Sequence, residues 1–384
     1  MQPVEHYVDA AVEATGLDDF GDEDWREGLA RLLDAFERPE ARLSDVGVVV
    51  VETDIAQYLT NRLGLVAWRK EHPEVASLDV TPPIVVIGQA RTGTTILHDL
   101  LAQDPRSRVP LSWEVDRPLP PPEPSTYETD PRIEETENQQ SMIDLLIPHF
   151  RAMHPVGARL AQECVRITGG AFRSMIFPTQ YRVPAYAQWL LHEADMKPGY
   201  AWHRAYLQHL GSRMRADRWV LKSPGHLWAL DALMDAYPDA VLIQTHRDPL
   251  RIIASVASLM ALLRQIACED ATMAEAAGEF ADYILLGLDR SVDARERGIV
   301  RRVVDVQFRV FVSDQIGTIG RIYDELGLEL TAEAESRMRT FLDEHPQDKH
   351  GTHSYTFGDT GLDAGAMRER AKRYQDHFDV APES

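Results

Sequence analysis

The side chains of this sequence that could handle an anionic ligand start with Arg91. It stands in the turn Gly88-Gln89-Ala90-Arg91-Thr92-Gly93-Thr94-Thr95, which follows the apolar run Ile84-Val85-Val86-Ile87 and opens an apolar helical pattern. A strand, a glycine turn and a helix start in that order make a phosphate cradle. The first N–H groups of a helix have no intrahelical acceptor, and the helix dipole adds positive charge there. Gly88 and Gly93 let the backbone close on a ligand. The turn matches GxxxxGK[ST] at both glycines and at the hydroxyl, but Thr94 stands where the lysine is expected. A loop that splits a nucleoside triphosphate uses that lysine on the β- and γ-phosphates, with magnesium at the hydroxyl. Here the fixed cation is an arginine. The plainer alternative is a strand-to-helix turn without a ligand, which would not call for Arg-Thr-Gly-Thr-Thr.

Three further places carry candidate chemistry. The apolar run Val241 to Thr245 ends in His246-Arg247-Asp248-Pro249, and Ser255 follows on the next helical segment. A guanidinium can grip a phosphate through two parallel hydrogen bonds while a hydroxyl adds a third. Asp248-Pro249 also reads as a helix start, and Arg247 could instead form an ordinary ion pair. Lys222 ends a second run, Trp219 to Lys222, where a point charge could meet a leaving group. Four residues on, His226 could accept a proton, cap a helix or simply be exposed. Trp113-Glu114 follows Val109-Pro110-Leu111, read as a short strand, so Glu114 is expected at the same edge. A carboxylate there can act as general base if burial raises its proton affinity; the alternative is a partner for Arg91 or another nearby arginine.

These residues need a sheet to bring them together. Runs at Ile84 to Ile87, Trp219 to Lys222, Val241 to Thr245 and Val303 to Val306 alternate with helical segments at about His226 to Tyr237, Pro249 to Leu263, Thr272 to Arg297 and onward to Leu342. Strands separated by helices predict parallel crossovers and a three-layer α/β fold, with ligands at the carboxyl ends of the strands. Residues 1–80 read as a helical layer, with Trp25, Leu29, Leu32, Leu33 and Phe36 on one face and a second helix from about Ser44 to Lys70. Residues 81–384 form the α/β part, carrying a helical insertion at about 130–215. That insertion holds Met142, Phe150, Met153, Phe172, Met175, Phe177, Tyr181, Tyr186, Trp189 and Trp202. Core packing explains such residues most simply, yet an acceptor pocket is also expected there. The proline-rich stretch Arg117 to Ser125 is extended, as a linker or as a rim of the site.

The whole chain limits the partners. Its 384 residues carry 40 Lys plus Arg against 61 Asp plus Glu, a net charge of -21. Nucleic acid and anionic membrane surfaces are repelled by that balance, so a phosphate-rich ligand must be held by local arginines and backbone dipoles. Cys164 and Cys268 have neither a disulfide framework nor metal-ligand spacing and read as core thiols. The acidic first residues lack a signal pattern, and no apolar run approaches the twenty or so residues of a spanning helix. The expectation is a cytoplasmic protein without stable membrane insertion, its oligomeric state open.

Arg91-Thr92-Gly93-Thr94-Thr95, Trp113-Glu114, Leu221-Lys222-Ser223-Pro224-Gly225-His226 and His246-Arg247-Asp248-Pro249 to Ser255 occur in an order that resembles the sulfotransferase superfamily, specifically its bacterial branch with an RSGTT or RTGTT loop. The resemblance spans about residues 82 to 260. It implies binding of 3'-phosphoadenosine 5'-phosphosulfate (PAPS) and metal-independent transfer of its sulfonate to a hydroxyl or amine. By the same resemblance Arg91 through Thr95 cradle the 5'-phosphate, while Arg247 and Ser255 hold the 3'-phosphate. Glu114 matches the base of the tyrosylprotein sulfotransferases, Arg91 and Lys222 would neutralise the departing oxygen, and His226 is the second candidate base. Val306-Gln307-Phe308-Arg309 departs from a tyrosine-bearing family segment, which puts cofactor contacts from that region in doubt. His350 to Tyr355 resembles a segment of the bacterial branch before its last helix, and Arg368, Arg370, Lys372 and Arg373 read as a solvated helix face. The acceptor is expected to be a small apolar hydroxylated molecule: a lipid, glycolipid or secondary metabolite. The rivals are a P-loop phosphotransferase or kinase, and a nucleotide-binding module without catalysis.

Overall fold

The computed structural model describes residues 1–80, 82–146, 156–268, 270–345 and 356–383. Five strands, β1 (Ile84–Ile87), β2 (Ser107–Arg108), β3 (Arg218–Lys222), β4 (Val241–His246) and β5 (Val303–Gln307), form one sheet in the order β2-β3-β1-β4-β5. Every neighbouring pair is parallel. This is the expected three-layer architecture, and the reason lies in β1. All four of its residues are buried, which calls for cover on both faces. Ile84 and Val86 point to one side, toward Leu97, Leu100, Ile319 and Met338. Val85 and Ile87 point to the other, toward Leu207, Leu210 and Leu233. The two-residue period thus builds two helical layers from one short strand.

After β1 the chain visits β2 and β3 on one side and then β4 and β5 on the other, so a crevice opens at the carboxyl end of β1. Register places the site in that crevice. Val86 is level with Lys222 and Ile87 with Gln244, so the loop after β1 emerges between the ends of β3 and β4.

The helix expected from Ser44 to Lys70 spans Asp45–Glu71, and the Ser44 hydroxyl accepts the Gly47 N–H at 3.0 Å. Its inner face joins the helices Val4–Thr15 and Trp25–Phe36 to a core that continues through Phe172, Phe177, Tyr186, Ile253 and Tyr374. The aromatic residues of the insertion are therefore mostly core: Phe172, Phe177, Tyr181 and Tyr186 are almost wholly enclosed. Phe150 and Met153 lie outside the described residues, as does the segment His350 to Tyr355. No helix among the described residues is long and apolar enough to cross a membrane.

Three expectations are corrected. The strand read at Val109 to Leu111 lies earlier, at Ser107–Arg108, because Pro110 has no N–H to give a ladder and the Leu111 N–H is taken by Glu114. Glu114 consequently sits in a short helix, Ser112–Asp116. The helix expected from His226 is a 3-10 turn, Pro224–Trp228, followed by a separate helix Leu230–Ala236.

Candidate active site

The loop after β1 is built as a cradle. Gly88 has φ 136, and a Cβ added there would meet the Thr245 hydroxyl oxygen at 2.2 Å. Only glycine lets the first turn of the loop lie against the end of β4. Arg91 is also in the left-handed region, at φ 70. Thr92 locks the loop from beneath: its hydroxyl donates to the Gln89 carbonyl at 2.6 Å and lies 2.6 Å from the Thr245 hydroxyl. Gly93, at φ 86, hands the chain into the helix Thr94–Leu101, whose first N–H groups face the crevice without intrahelical acceptors.

Arg91, Arg247 and Ser255 come together across the crevice, over more than 150 residues of sequence. Arg91 Nε donates to the Ser255 hydroxyl at 3.0 Å, and Arg247 donates from one terminal nitrogen to the Arg91 carbonyl at 2.7 Å. Asp248 caps the helix Pro249–Arg264 by accepting the Leu250 N–H at 3.1 Å, which sets Ser255 two turns further along, on the face toward Arg91. The Arg247 guanidinium lies 4.0 Å from the centre of the Phe308 ring. The segment after β5 thus reaches Arg247 with a phenylalanine, without the tyrosine whose absence had put its contacts in doubt. The rest of the Arg247 fork carries the Glu383 carboxylate, with Nε 3.1 Å from one oxygen and the outer nitrogen 3.1 Å from the other. Arg368, read as part of a solvated face, instead binds Asp248 through two nitrogens at 2.5 and 3.1 Å. Arg370, Lys372 and Arg373 do pair at the surface.

On the other side of the loop, Lys222 is buried at the end of β3. Its ammonium donates to the Thr95 hydroxyl at 3.3 Å and to Glu163 at 2.5 Å. Glu163 precedes the short helix Cys164–Gly169. His226 is 2% exposed; its Nδ1 pairs with the Tyr200 hydroxyl at 2.7 Å, while Nε2 has no hydrogen-bond partner among the described residues. Burial first, and the nearby His203 second, push its pKa down to about 3, so the ring is neutral at any ordinary working pH. It lines a small cavity with Cys164, Thr168, Tyr200, Ser223 and Trp228.

Glu114 is placed differently from the base expected of it. It is 0% exposed, with one oxygen 2.7 Å from an Arg108 nitrogen and the other accepting the Leu111 N–H at 2.8 Å. This is the arginine-partner alternative, with Arg108 in place of Arg91. With no exposed surface, the carboxylate is out of an acceptor hydroxyl's reach unless the residues around it move.

Glu163 and Glu383 were not singled out from the sequence. Each pairs with its cation across a long separation, and neither stands in a motif. Among the described residues no group of three or more histidine, cysteine, aspartate or glutamate side chains is arranged to hold a metal ion.

Comparison with known proteins supplies the remaining evidence. Residues 82–332 match the sulfotransferase family. The crystal structure of sulfotransferase STF9 from Mycobacterium avium superposes with a TM-score of 0.90, at 31% identity, over 100% of this chain and 98% of that one. For sulfotransferase STF1 of Mycobacterium tuberculosis H37Rv the TM-score is 0.85 and the identity 33%, covering 96% and 98%. The chain is also 26% identical over 287 residues, 72% of its length and 70% of the relative's, to the omega-hydroxy-beta-dihydromenaquinone-9 sulfotransferase Stf3 of Mycobacterium bovis.

Proposed function

The chain belongs to the sulfotransferase family, an enzyme using PAPS, and we propose that it sulfonates a hydroxyl of a small apolar acceptor at the crevice between β1, β3 and β4. When bound, PAPS supplies an activated sulfonate whose bond to the 5'-phosphate oxygen breaks as a bond to the acceptor oxygen forms. The residues at the crevice fit such a molecule. The cradle has no room for a Cβ at Gly88, and the Glu383 carboxylate paired with the Arg247 fork supports reading the fork as a place for an oxyanion.

Within this reading, Thr92, Gly93, Thr94 and Thr95 offer the backbone of the cradle to the 5'-phosphate, with Arg91 above it. Arg247 and Ser255 hold the 3'-phosphate, and Lys222 stabilises the departing oxygen by charge. Held 3.3 Å from Thr95, Lys222 is anchored at the helix start where that oxygen would lie. His226 is assigned the acceptor's proton because its Nε2 has no partner among the described residues; burial leaves the ring unprotonated but also lowers its proton affinity. Glu114 instead holds Arg108. The hollow beside His226 is lined by Met175, Leu190, Leu191, Met196 and Trp228 but has only about 30 Å³ of free space, so an apolar alcohol would have to widen it; the relative named for a hydroxylated menaquinone derivative supports a lipid.

The convergence of Arg91, Arg247 and Ser255 carries the proposal. Calorimetric titration with adenosine 3',5'-bisphosphate, without metal, tests it. Arg247→Ala is expected to weaken binding by about tenfold or more, the worth of a charge-assisted fork. Equal affinity in wild type and variant would remove Arg247 from the cofactor site. Tight magnesium-dependent ATP binding without preference for the 3'-phosphate would favour a phosphotransferase site instead.

A further inference from the structure

We propose that Glu383 competes with the cofactor's 3'-phosphate for the Arg247 fork, so that the segment after the last helix sets cofactor affinity; this rests on the assignment of Arg247 to that phosphate. The geometry is that of a stand-in anion. The Glu383 carboxylate faces Arg247 with contacts at 3.1, 3.3 and 3.1 Å, and Arg251 approaches to 3.9 Å. Both partners are about one-seventh exposed, at 15% and 14%, so the pair is only partly screened by water. A planar carboxylate satisfies the same donors that a phosphate would.

The segment is placed there by its own contacts. The helix Ala364–Phe378 ends at Asp379, which has φ 51 and turns the chain back toward the site. The Val380 carbonyl accepts from Gln375 at 3.0 Å, the Pro382 carbonyl from Arg309 at 2.6 Å, and the Glu383 N–H donates to Asp248 at 2.6 Å. Asp248 itself is neutralised by Arg368. Glu383 is therefore the carboxylate opposing an incoming phosphate at this fork, and it can leave by releasing its N–H from Asp248 while Val380 stays anchored.

A ligand that must displace a resident group binds more weakly by the free energy of that displacement. The phosphate carries more charge than the carboxylate and gains Ser255 besides, so it wins when the cofactor is abundant. Removing the competitor should tighten binding only for ligands that carry a 3'-phosphate.

The test is titration of wild type, Glu383→Gln and Arg247→Ala with adenosine 3',5'-bisphosphate and, separately, with adenosine 5'-monophosphate. Glu383→Gln is expected to bind the bisphosphate about fivefold tighter or more, with the monophosphate unchanged. Glu383→Asp, which keeps the charge, should stay near wild type. Unchanged or weaker bisphosphate binding in Glu383→Gln overturns the competition and makes Glu383 a brace for Arg247. Failure of the underlying assignment looks different: Arg247→Ala would then bind both nucleotides like wild type.

Discussion

Two side chains could take the acceptor's proton, and their surroundings separate them. Among the described residues His226 keeps Nε2 without a partner next to the cavity, whereas Glu114 has each oxygen engaged in a fully enclosed ion pair with Arg108 and a backbone N–H. Replacing His226 by asparagine should lower kcat by about a hundredfold to ten-thousandfold, the range for a lost general base, with bisphosphate affinity kept. Glu114→Gln should act on folding instead, since it leaves the buried Arg108 charge uncompensated, at a cost of about 3 to 5 kcal/mol in a denaturant titration. The reverse pattern, stability kept and turnover lost in Glu114→Gln, would return the base to Glu114. Because the His226 pKa is near 3, the acid limb of kcat/KM assigned to it should lie below about pH 4 rather than near the ordinary histidine value.

At the scale of elements, the junction of β1 with its loop is the least tolerant part of the fold. Gly88→Ala would push a methyl to within 2.2 Å of the Thr245 hydroxyl oxygen in a backbone region that L-residues avoid. We expect a loss of about 2 kcal/mol or more in stability and of bisphosphate binding. Gly278→Ala is the control: nothing lies within 4 Å of the added carbon in the helix Met273–Glu296, so stability should rise by about 0.5 to 1 kcal/mol. A tolerated Gly88→Ala would contradict the close packing against β4. This junction was legible because an uninterrupted aliphatic run, two glycines and a threonine pair all serve one local geometry. The short β2 strand was not, because Pro110 and the Glu114 side chain decide where pairing stops. Lys222 with Glu163, and Arg247 with Glu383, could not be read either, since nothing local ties residues 59 and 136 positions apart.

For the whole molecule, buried histidines set the response to acid. Burial holds His98, His203 and His226 at about 3 and His209 at about 4, against 6.5 for an ordinary histidine. Between these values the unfolded chain binds protons that the folded one refuses, so stability falls as pH drops below about 6.5. Each group contributes up to about 1.4 kcal/mol per pH unit. Asp99, raised to about 6 by burial, has the opposite sign and offsets roughly one of them. Urea midpoints at pH 7.5, 6 and 5 should therefore decline in order; a midpoint constant to pH 5 would mean that these rings are protonated in the folded state.

The hydrogen bond from Arg247 to the Arg91 carbonyl has a further consequence. In the proposed assignment it ties the residue that would grip one end of the cofactor to the loop that would hold the other, so the two ends would be recognised as a single object. A donor lacking its remote phosphate would leave Arg247 free to shift, and with it the peptide that aims Arg91. Selectivity for the complete donor then belongs to turnover as well as to affinity, because binding energy gained far from sulfur is spent in aligning the reacting end.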